Sequence, residues 1–211
     1  MEGRPSIKWL QEYPDTVYVK KYNIIFFIFW FLAVSIPISY LTGYHTFAME
    51  KEPLSDLKKI EILKSKEGRW KVAHLMSGQC GCSKRVMKYL ASRKAISDRN
   101  EVVVLIDGTD ELKEKMKVTG FDVVSLNGEE AFDKYHITSV PQMVVFDEKG
   151  EIKYSGGYSS SRTSPYEDQQ IYENLKAGKT VEELPLFGCM NGQKITKKID
   201  PLGLKYGGLY E

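Results

Sequence analysis

The stretch RWKVAHLMSGQCGCSKRVMKYL, residues 69–90, decides the fold. Residues 69–76 have the apolar character of a buried β-strand, and residues 83–96 have apolar side chains at helical spacing. A loop of small residues joins the two and carries Cys80, and Cys82 follows where the helix begins. Both sulfurs are therefore predicted at the carboxyl end of a strand, which is where open α/β sheets place their sites.

The two cysteines are predicted to have different roles. A thiol at a helix N-terminus has a lowered pKa and reacts as thiolate. Cys82 shares the spacing of Val86 and Leu90, which puts it on the inward side of the helix. Cys80 is then the more exposed sulfur, and we expect it to attack while Cys82 resolves; Gly81 between them gives the backbone freedom of a tight ring. The alternative is two ordinary loop cysteines that form a structural bond or none.

The rest of the chain alternates helices and strands. A short apolar run at residues 101–106 is typical of a buried parallel strand. Two β-rich runs within residues 142–155 are joined by a turn ending in glycine, which indicates a hairpin. Helices are predicted at residues 111–118, 129–135 and 165–177. This order indicates an α/β arrangement around a mixed sheet.

A second motif precedes the hairpin. Pro141 opens a strand opposite the cysteines and is predicted to follow a cis peptide bond, which leaves backbone groups of Val140 able to pair with an extended substrate. The alternative is an ordinary trans proline that starts a strand. The polar loop at residues 156–162, with Gly157, either shapes a docking groove or is a plain surface turn.

These features resemble the thioredoxin-like superfamily over residues 69–177, although thioredoxins carry C-x-x-C and this chain has C-x-C. Bacterial membrane-anchored RedB-like proteins are a closer resemblance. They are similar to this chain in a C-x-C-[ST] cluster, in a Ser-Gly-Gly stretch at residues 155–162, and in the late Phe187-Gly188-Cys189. The resemblance implies a thioredoxin-like mixed sheet flanked by helices and preceded by one transmembrane helix.

The third cysteine has several interpretations. Cys189 is either a third redox thiol that exchanges with the pair, a metal ligand, or an inert packed residue. We expect no metal or other cofactor, but the alternative is a copper site made by Cys80, Cys82 and His136, since thiolate and imidazole suit copper. His74, in the strand before the cysteines, is a weaker candidate ligand.

The N-terminal part contains a membrane segment. Residues 22–41 are uncharged and long enough to cross a bilayer as a helix. A cleaved signal peptide is the alternative, but the apolar run is longer than a usual signal core. Basic residues before the segment place the N-terminus in the cytoplasm and the rest outside, where disulfides persist. These residues are Arg4, Lys8, Lys20 and Lys21.

Five parts follow from these patterns. They are a cytoplasmic segment (1–21), a transmembrane helix (22–42), a connecting amphipathic helix (43–66), a thioredoxin-like domain (67–180) and an irregular C-terminal tail (181–211). A net charge of +2 without a basic stripe argues against nucleic-acid binding. The predicted function is a membrane-anchored thiol–disulfide oxidoreductase that acts on exported protein thiols or a membrane redox complex. A copper-binding module and an accessory subunit of a membrane complex are the alternatives.

Overall fold

The described part of the N-terminal unit is one long helix. The computed structural model describes residues 15–46, 63 and 68–191, with the side chains of 22–40 in the first range. The chain divides into two units, residues 1–45 and 46–211. Helix α1 spans Asp15–Thr46, and its part 22–40 carries no charged side chain. Its part Tyr22–Tyr40 has a mean hydropathy of 1.9 with none of it buried, so it is long and apolar enough to cross a membrane.

The second unit contains a five-stranded mixed sheet. Its strands are β1 (Lys71–Ser77), β2 (Asn100–Ile106), β3 (Asp122–Leu126), β5 (Gln142–Phe146) and β6 (Ile152–Gly156). The strand order is β3-β2-β1-β5-β6, with β1, β2 and β3 parallel and β5 and β6 antiparallel to their neighbours. A second, two-stranded sheet pairs β4 (Ser139–Val140) with β7 (Cys189–Met190).

The described residues of this unit also form four helices. They are α2 (Gly81–Arg93), α3 (Asp110–Val118), α4 (Gly128–Asp133) and α5 (Asp168–Lys176). Side-chain caps define where two of them begin: Thr109 accepts from the Leu112 N–H at the start of α3, and Asn127 accepts from the Glu130 N–H at the start of α4. Every residue of β1 is buried, because apolar clusters cover both faces of the central sheet.

The thioredoxin-like arrangement predicted from the sequence is confirmed, as strand, helix, strand, helix and closing hairpin all appear in the expected order. The Val140–Pro141 peptide bond is cis, as predicted. Residues 43–46 belong to α1, and the rest of the predicted connecting helix, apart from Leu63, lies outside the described residues. In its described part, the predicted irregular tail contains one two-residue strand, β7, which pairs with β4 of the domain. Residues 1–14 and 192–211 lie outside the described residues.

Candidate redox site

Cys80 lies between the end of β1 and the start of α2. Its N–H donates to the Ser77 carbonyl oxygen over 3.3 Å, and Cys80 is the N-cap residue of α2. The Ser77 N–H donates to Ser83 Oγ at 3.1 Å, which ties the strand end to the first helical turn. Gly78 is required here, because a Cβ at that position would overlap the backbone of Asp107 at the end of β2. The local sequence therefore holds Cys80 at the carboxyl edge of the sheet, as predicted.

The loop that contains the cis proline lies beside Cys80. Cys80 Sγ is 3.9 Å from the Val140 carbonyl oxygen, a weak S–H···O contact. Val140 is buried, and Pro141 is buried as well. The structure thus brings together the cysteine and the two loop residues that the sequence predicted to act with it.

Residues 184–191, which we name the covering segment, lie on this loop. Val140 pairs with Cys189 in the antiparallel β4–β7 ladder. Before that pair, the Gly157 N–H donates to the Leu184 carbonyl oxygen at 2.9 Å, and after it the Asn191 N–H donates to Thr138 at 2.8 Å. The backbone edge that we expected to meet a substrate, at Val140 and Gly157, is therefore occupied by the chain itself.

Cys80 contacts both of the other cysteines. Cys80 Sγ lies 2.7 Å from Cys189 Sγ, and it also interacts with the Cys82 thiol. No disulfide joins any of the three, which are all the cysteines of the chain and all lie in its described part. The expected exposure is wrong. Cys80 is only 2 % exposed whereas Cys82 is half-buried, because the covering segment lies over Cys80.

The neighbouring thiols control the ionisation of Cys80. The Cys189 contact is the largest influence and raises the pKa of Cys80, the Cys82 contact lowers it, and burial raises it, so the net pKa lies above the ordinary 9.0. The pKa of Cys82 is raised too, first by its contact with Cys80 and then by burial, against the charges of Arg162 and Arg85. The predicted activation of Cys80 by the helix N-terminus is thus outweighed in this conformation.

A pocket opens on the side of Cys82. Two cations, Arg85 and Arg162, face it together with the ring of Phe187. The Arg162 guanidinium carbon lies 5.9 Å above that ring, and Arg162 Nε is buried without a hydrogen-bond partner among the described residues. The remaining lining residues are Val86, Pro141, Gly157, Tyr158, Ser159, Tyr166 and Pro185.

A buried charge network surrounds Glu101 on strand β2. Glu101 accepts from Arg93 Nη2 at 2.6 Å and Nη1 at 2.9 Å, and from Arg99 Nε at 3.3 Å. Arg93 also pairs with Asp168 at 3.0 Å, which ties α2 to α5. Burial would raise the pKa of Glu101, but nearby His74 and Arg93 outweigh it and hold that pKa well below its usual range.

Sequence reasoning missed this network. His74 is fully buried, with Nδ1 2.8 Å from the Tyr158 hydroxyl and Nε2 3.5 Å from Glu101 Oε1. Its partners are far away in the chain, and no local pattern marks them. His74 therefore has a structural role in the core.

His136, the third residue of the copper alternative, lies at the surface. His136 is exposed, with a positive φ of 52°. Within the described part of the chain, no group of three His, Cys, Asp or Glu side chains is placed to hold a metal ion.

A family model covers most of this unit. The model described as a domain of unknown function (DUF6436) matches residues 49–188. The chain belongs to the DUF6436 family. A search of curated proteins finds no match. The resemblance to RedB-like proteins stays a prediction.

Several solved structures are similar to part of the DUF6436 chain. A hypothetical protein from Sinorhizobium meliloti 1021 is 16% identical with a TM-score of 0.50, covering 61% of this chain and 82% of its own. An uncharacterised conserved protein from Geobacillus kaustophilus is 19% identical with a TM-score of 0.47. The match covers 69% of this chain and 89% of that protein. StoA from Bacillus subtilis is 20% identical with a TM-score of 0.38, covering 51% and 83%. At 16% identity, the similarity to the Sinorhizobium meliloti protein concerns the fold alone.

Proposed function

We propose that this protein is a thiol–disulfide oxidoreductase in which Cys80 attacks a substrate disulfide and Cys82 resolves the product. The proposal is supported by the position of Cys80, at the start of a helix and beside the cis-proline loop. The second sulfur needed for resolution is in contact with the first.

One observation carries the assignment of Cys80 as the attacking sulfur. A cysteine in a strand paired with Val140 lies 2.7 Å, sulfur to sulfur, from Cys80. An extended substrate that docked on the same edge would present its own sulfur at the same place. Cys82 is the more exposed thiol, and it lines a pocket together with Pro141 and Gly157.

The reaction is a pair of exchange steps. The Cys80 thiolate attacks one sulfur of the substrate disulfide, so that a mixed disulfide forms and the other substrate sulfur leaves as a thiolate. The Cys82 thiolate then attacks Cys80 Sγ, releasing the second substrate thiolate and leaving a Cys80–Cys82 disulfide. The substrate gains two electrons and the two cysteines lose them; the two protons of the cysteines pass to the substrate thiolates. A dithiol donor regenerates the pair, and the same steps in reverse oxidise a substrate dithiol.

The proposed location follows from α1. Its apolar part is long enough to anchor the chain, and basic residues precede it, which favours an N-terminus in the cytoplasm and a redox domain on the exported side. Exported protein thiols or a membrane redox complex are then the partners. A protease added to intact spheroplasts should digest the redox domain. Protection of that domain until the membrane is opened would contradict this orientation.

Trapping tests the roles of the two sulfurs without involving the third cysteine. The full-length protein, solubilised in detergent, carries Cys189→Ser in every sample and is exposed to glutathione disulfide. With Cys80 and Cys82 present, we expect an intramolecular disulfide and no lasting glutathione adduct. With Cys82→Ser added, one glutathione should remain on Cys80, because no sulfur is left to displace it.

The matched variant is Cys80→Ser in the same Cys189→Ser background, which leaves Cys82 alone. It should react with glutathione disulfide more slowly than the Cys80-only protein, and circular dichroism checks that both are folded. The proposal is wrong if the Cys80–Cys82 protein accumulates stable adducts without an internal disulfide. The assignment of roles is reversed if the Cys82-only protein reacts faster.

A further inference from the structure

We propose that Cys189 is a third redox thiol, which exchanges with Cys80 to form a Cys80–Cys189 disulfide while the covering segment occupies the substrate edge as an intrachain substrate. This inference rests on the proposed function, because it takes Cys80 as the reacting sulfur. It goes beyond that function by naming a residue outside the C-x-C pair as a participant.

The sulfur of Cys189 is held in place from both sides. On one side the Leu184 carbonyl oxygen accepts from Gly157, and the Leu184 N–H donates to the Tyr154 hydroxyl at 3.3 Å. On the other side Asn191 is buried and its Nδ2 donates to the Ile137 carbonyl oxygen at 3.1 Å. Because hydrogen bonds fix the segment before and after Cys189, the approach of the two sulfurs is a built feature of the domain.

The covering segment packs closely on the domain through Gly188 and Leu186. Gly188 lies so close to Val140 and Pro141 that a Cβ there would overlap the Val140 carbonyl oxygen. Leu186 is 1% exposed and anchors the segment. The absence of a side chain at Gly188 therefore allows strand β7 to approach the cis-proline loop.

The exchange step balances without an added oxidant. Cys189 loses its proton and attacks Cys80 Sγ of the Cys80–Cys82 disulfide that substrate reduction has left. The Cys80–Cys189 bond forms, the Cys80–Cys82 bond breaks, and Cys82 leaves as a thiolate that takes up a proton. Two sulfurs remain oxidised throughout, and a dithiol donor later reduces the new disulfide.

Two consequences follow for the site. An external strand must displace the covering segment before it can reach Cys80, since both use the edge at Val140. Once the Cys80–Cys189 bond has formed, Cys82 is a thiol again, and it faces the pocket that holds Arg85 and Arg162. The oxidised protein therefore presents a thiol beside two cations.

Peptide mapping tests the inference on the full-length protein in detergent. After oxidation with glutathione disulfide, remaining thiols are alkylated and the chain is cut after Lys and Arg. Cys80 and Cys82 fall in one peptide, residues 72–84, and Cys189 falls in another, residues 180–194. A Cys80–Cys82 bond gives one peptide with an internal loop, whereas a bond to Cys189 joins two peptides.

We expect the wild-type protein to give the joined peptides. Cys82→Ser should keep them and Cys80→Ser should lose them, which assigns the bond to Cys80. A matched control moves the sulfur by one position, with Cys189→Ala and Met190→Cys together. Because neighbouring side chains of a strand point to opposite faces, this variant should not give joined peptides.

The inference is overturned if the wild-type protein gives only the internal loop with Cys189 alkylated, or if Cys80→Ser gives joined peptides as readily as Cys82→Ser. The Cys189→Ala variant separates this failure from that of the proposed function. If that variant still forms the Cys80–Cys82 disulfide, the oxidoreductase assignment stands and only the role of Cys189 is lost.

Discussion

Val140 and Cys189 are paired across the small β4–β7 ladder, and this pairing brings the Cys189 sulfur to 2.7 Å from Cys80. The strand edge beside the cis proline, which the sequence indicated as the place for an extended substrate, is thus covered from within the same chain. The reactivity of Cys80 then depends on how stably the covering segment stays bound to this edge. Single substitutions can weaken the contacts of the segment one at a time.

The first prediction concerns the contact of Gly188 with the cis-proline loop. Gly188→Ala adds a methyl group that would overlap the Val140 carbonyl oxygen, so the covering segment has to move away. We expect Cys80 in the reduced protein to be alkylated faster than in the wild type, as measured by peptide mass spectrometry. Glu182→Ala is the control, because this exposed residue lies just before the segment. Equal rates for Gly188→Ala and Glu182→Ala would contradict the view that the segment shields Cys80.

A second prediction separates two buried tyrosines. The Tyr154 hydroxyl donates to the Gly157 carbonyl oxygen at 2.7 Å and accepts from Leu184, whereas the Tyr158 hydroxyl contacts His74. Each Tyr→Phe change removes one buried hydroxyl, but only Tyr154→Phe removes a contact with the covering segment. We expect Tyr154→Phe to increase alkylation of Cys80 and Tyr158→Phe to leave it unchanged. Equal effects of the two variants on Cys80 alkylation would show that the tyrosines act through general stability.

The third prediction uses the opposite effects of two thiols on Cys80. The Cys189 contact raises the pKa of Cys80 and the Cys82 contact lowers it. We therefore expect Cys189→Ala to move the midpoint of Cys80 alkylation to lower pH and Cys82→Ala to move it to higher pH. The measurement is the alkylation rate at Cys80 itself, located by fragmentation of peptide 72–84, across a pH series. Shifts in the same direction for both variants would contradict this assignment.

The sequence was sufficient for the fold because the signals are local. The buried run at β2, the hairpin of β5 and β6, and the strand–cysteine–helix junction each lie within a short window. The cis bond before Pro141 was predicted from its position relative to that junction.

The covering of Cys80 could not be predicted from spacing. Cys80 and Cys189 are 109 positions apart, and no periodicity links them. The helical spacing of Cys82 suggested an inward sulfur, but a residue in the first turn of a helix is buried only if something packs over it. In this structure the covering segment packs over Cys80, so the order of exposure is reversed.

The fourth prediction concerns the buried network at Glu101. Glu101→Gln removes one of the two buried carboxylates that face the nearly buried Arg93 guanidinium and leaves only Asp168. Breaking a buried pair on one side costs about 3–5 kcal/mol of unfolding free energy. Chemical unfolding of the domain, followed by near-UV circular dichroism, gives this quantity. Glu114→Gln is the matched control, since the Glu114–Lys117 pair is exposed, and it should leave stability nearly unchanged. Equal stability of the two variants would contradict the structural importance of the network.

The final prediction gives the pH dependence of the same interaction. The pKa of Glu101 in the folded protein is held below its ordinary value near 4.5 by His74 and Arg93, which outweigh burial. Its contribution to stability is then complete above that ordinary value and is lost as the pH falls through the lowered pKa of the folded state. We expect the difference in unfolding free energy between wild type and Glu101→Gln to be largest at neutral pH and to shrink steadily in acid, because a protonated Glu101 resembles glutamine. Unfolding curves measured from neutral to acidic pH on both proteins test this. A difference that stays constant, or grows as the pH falls, would show that Glu101 is not the charged partner of Arg93.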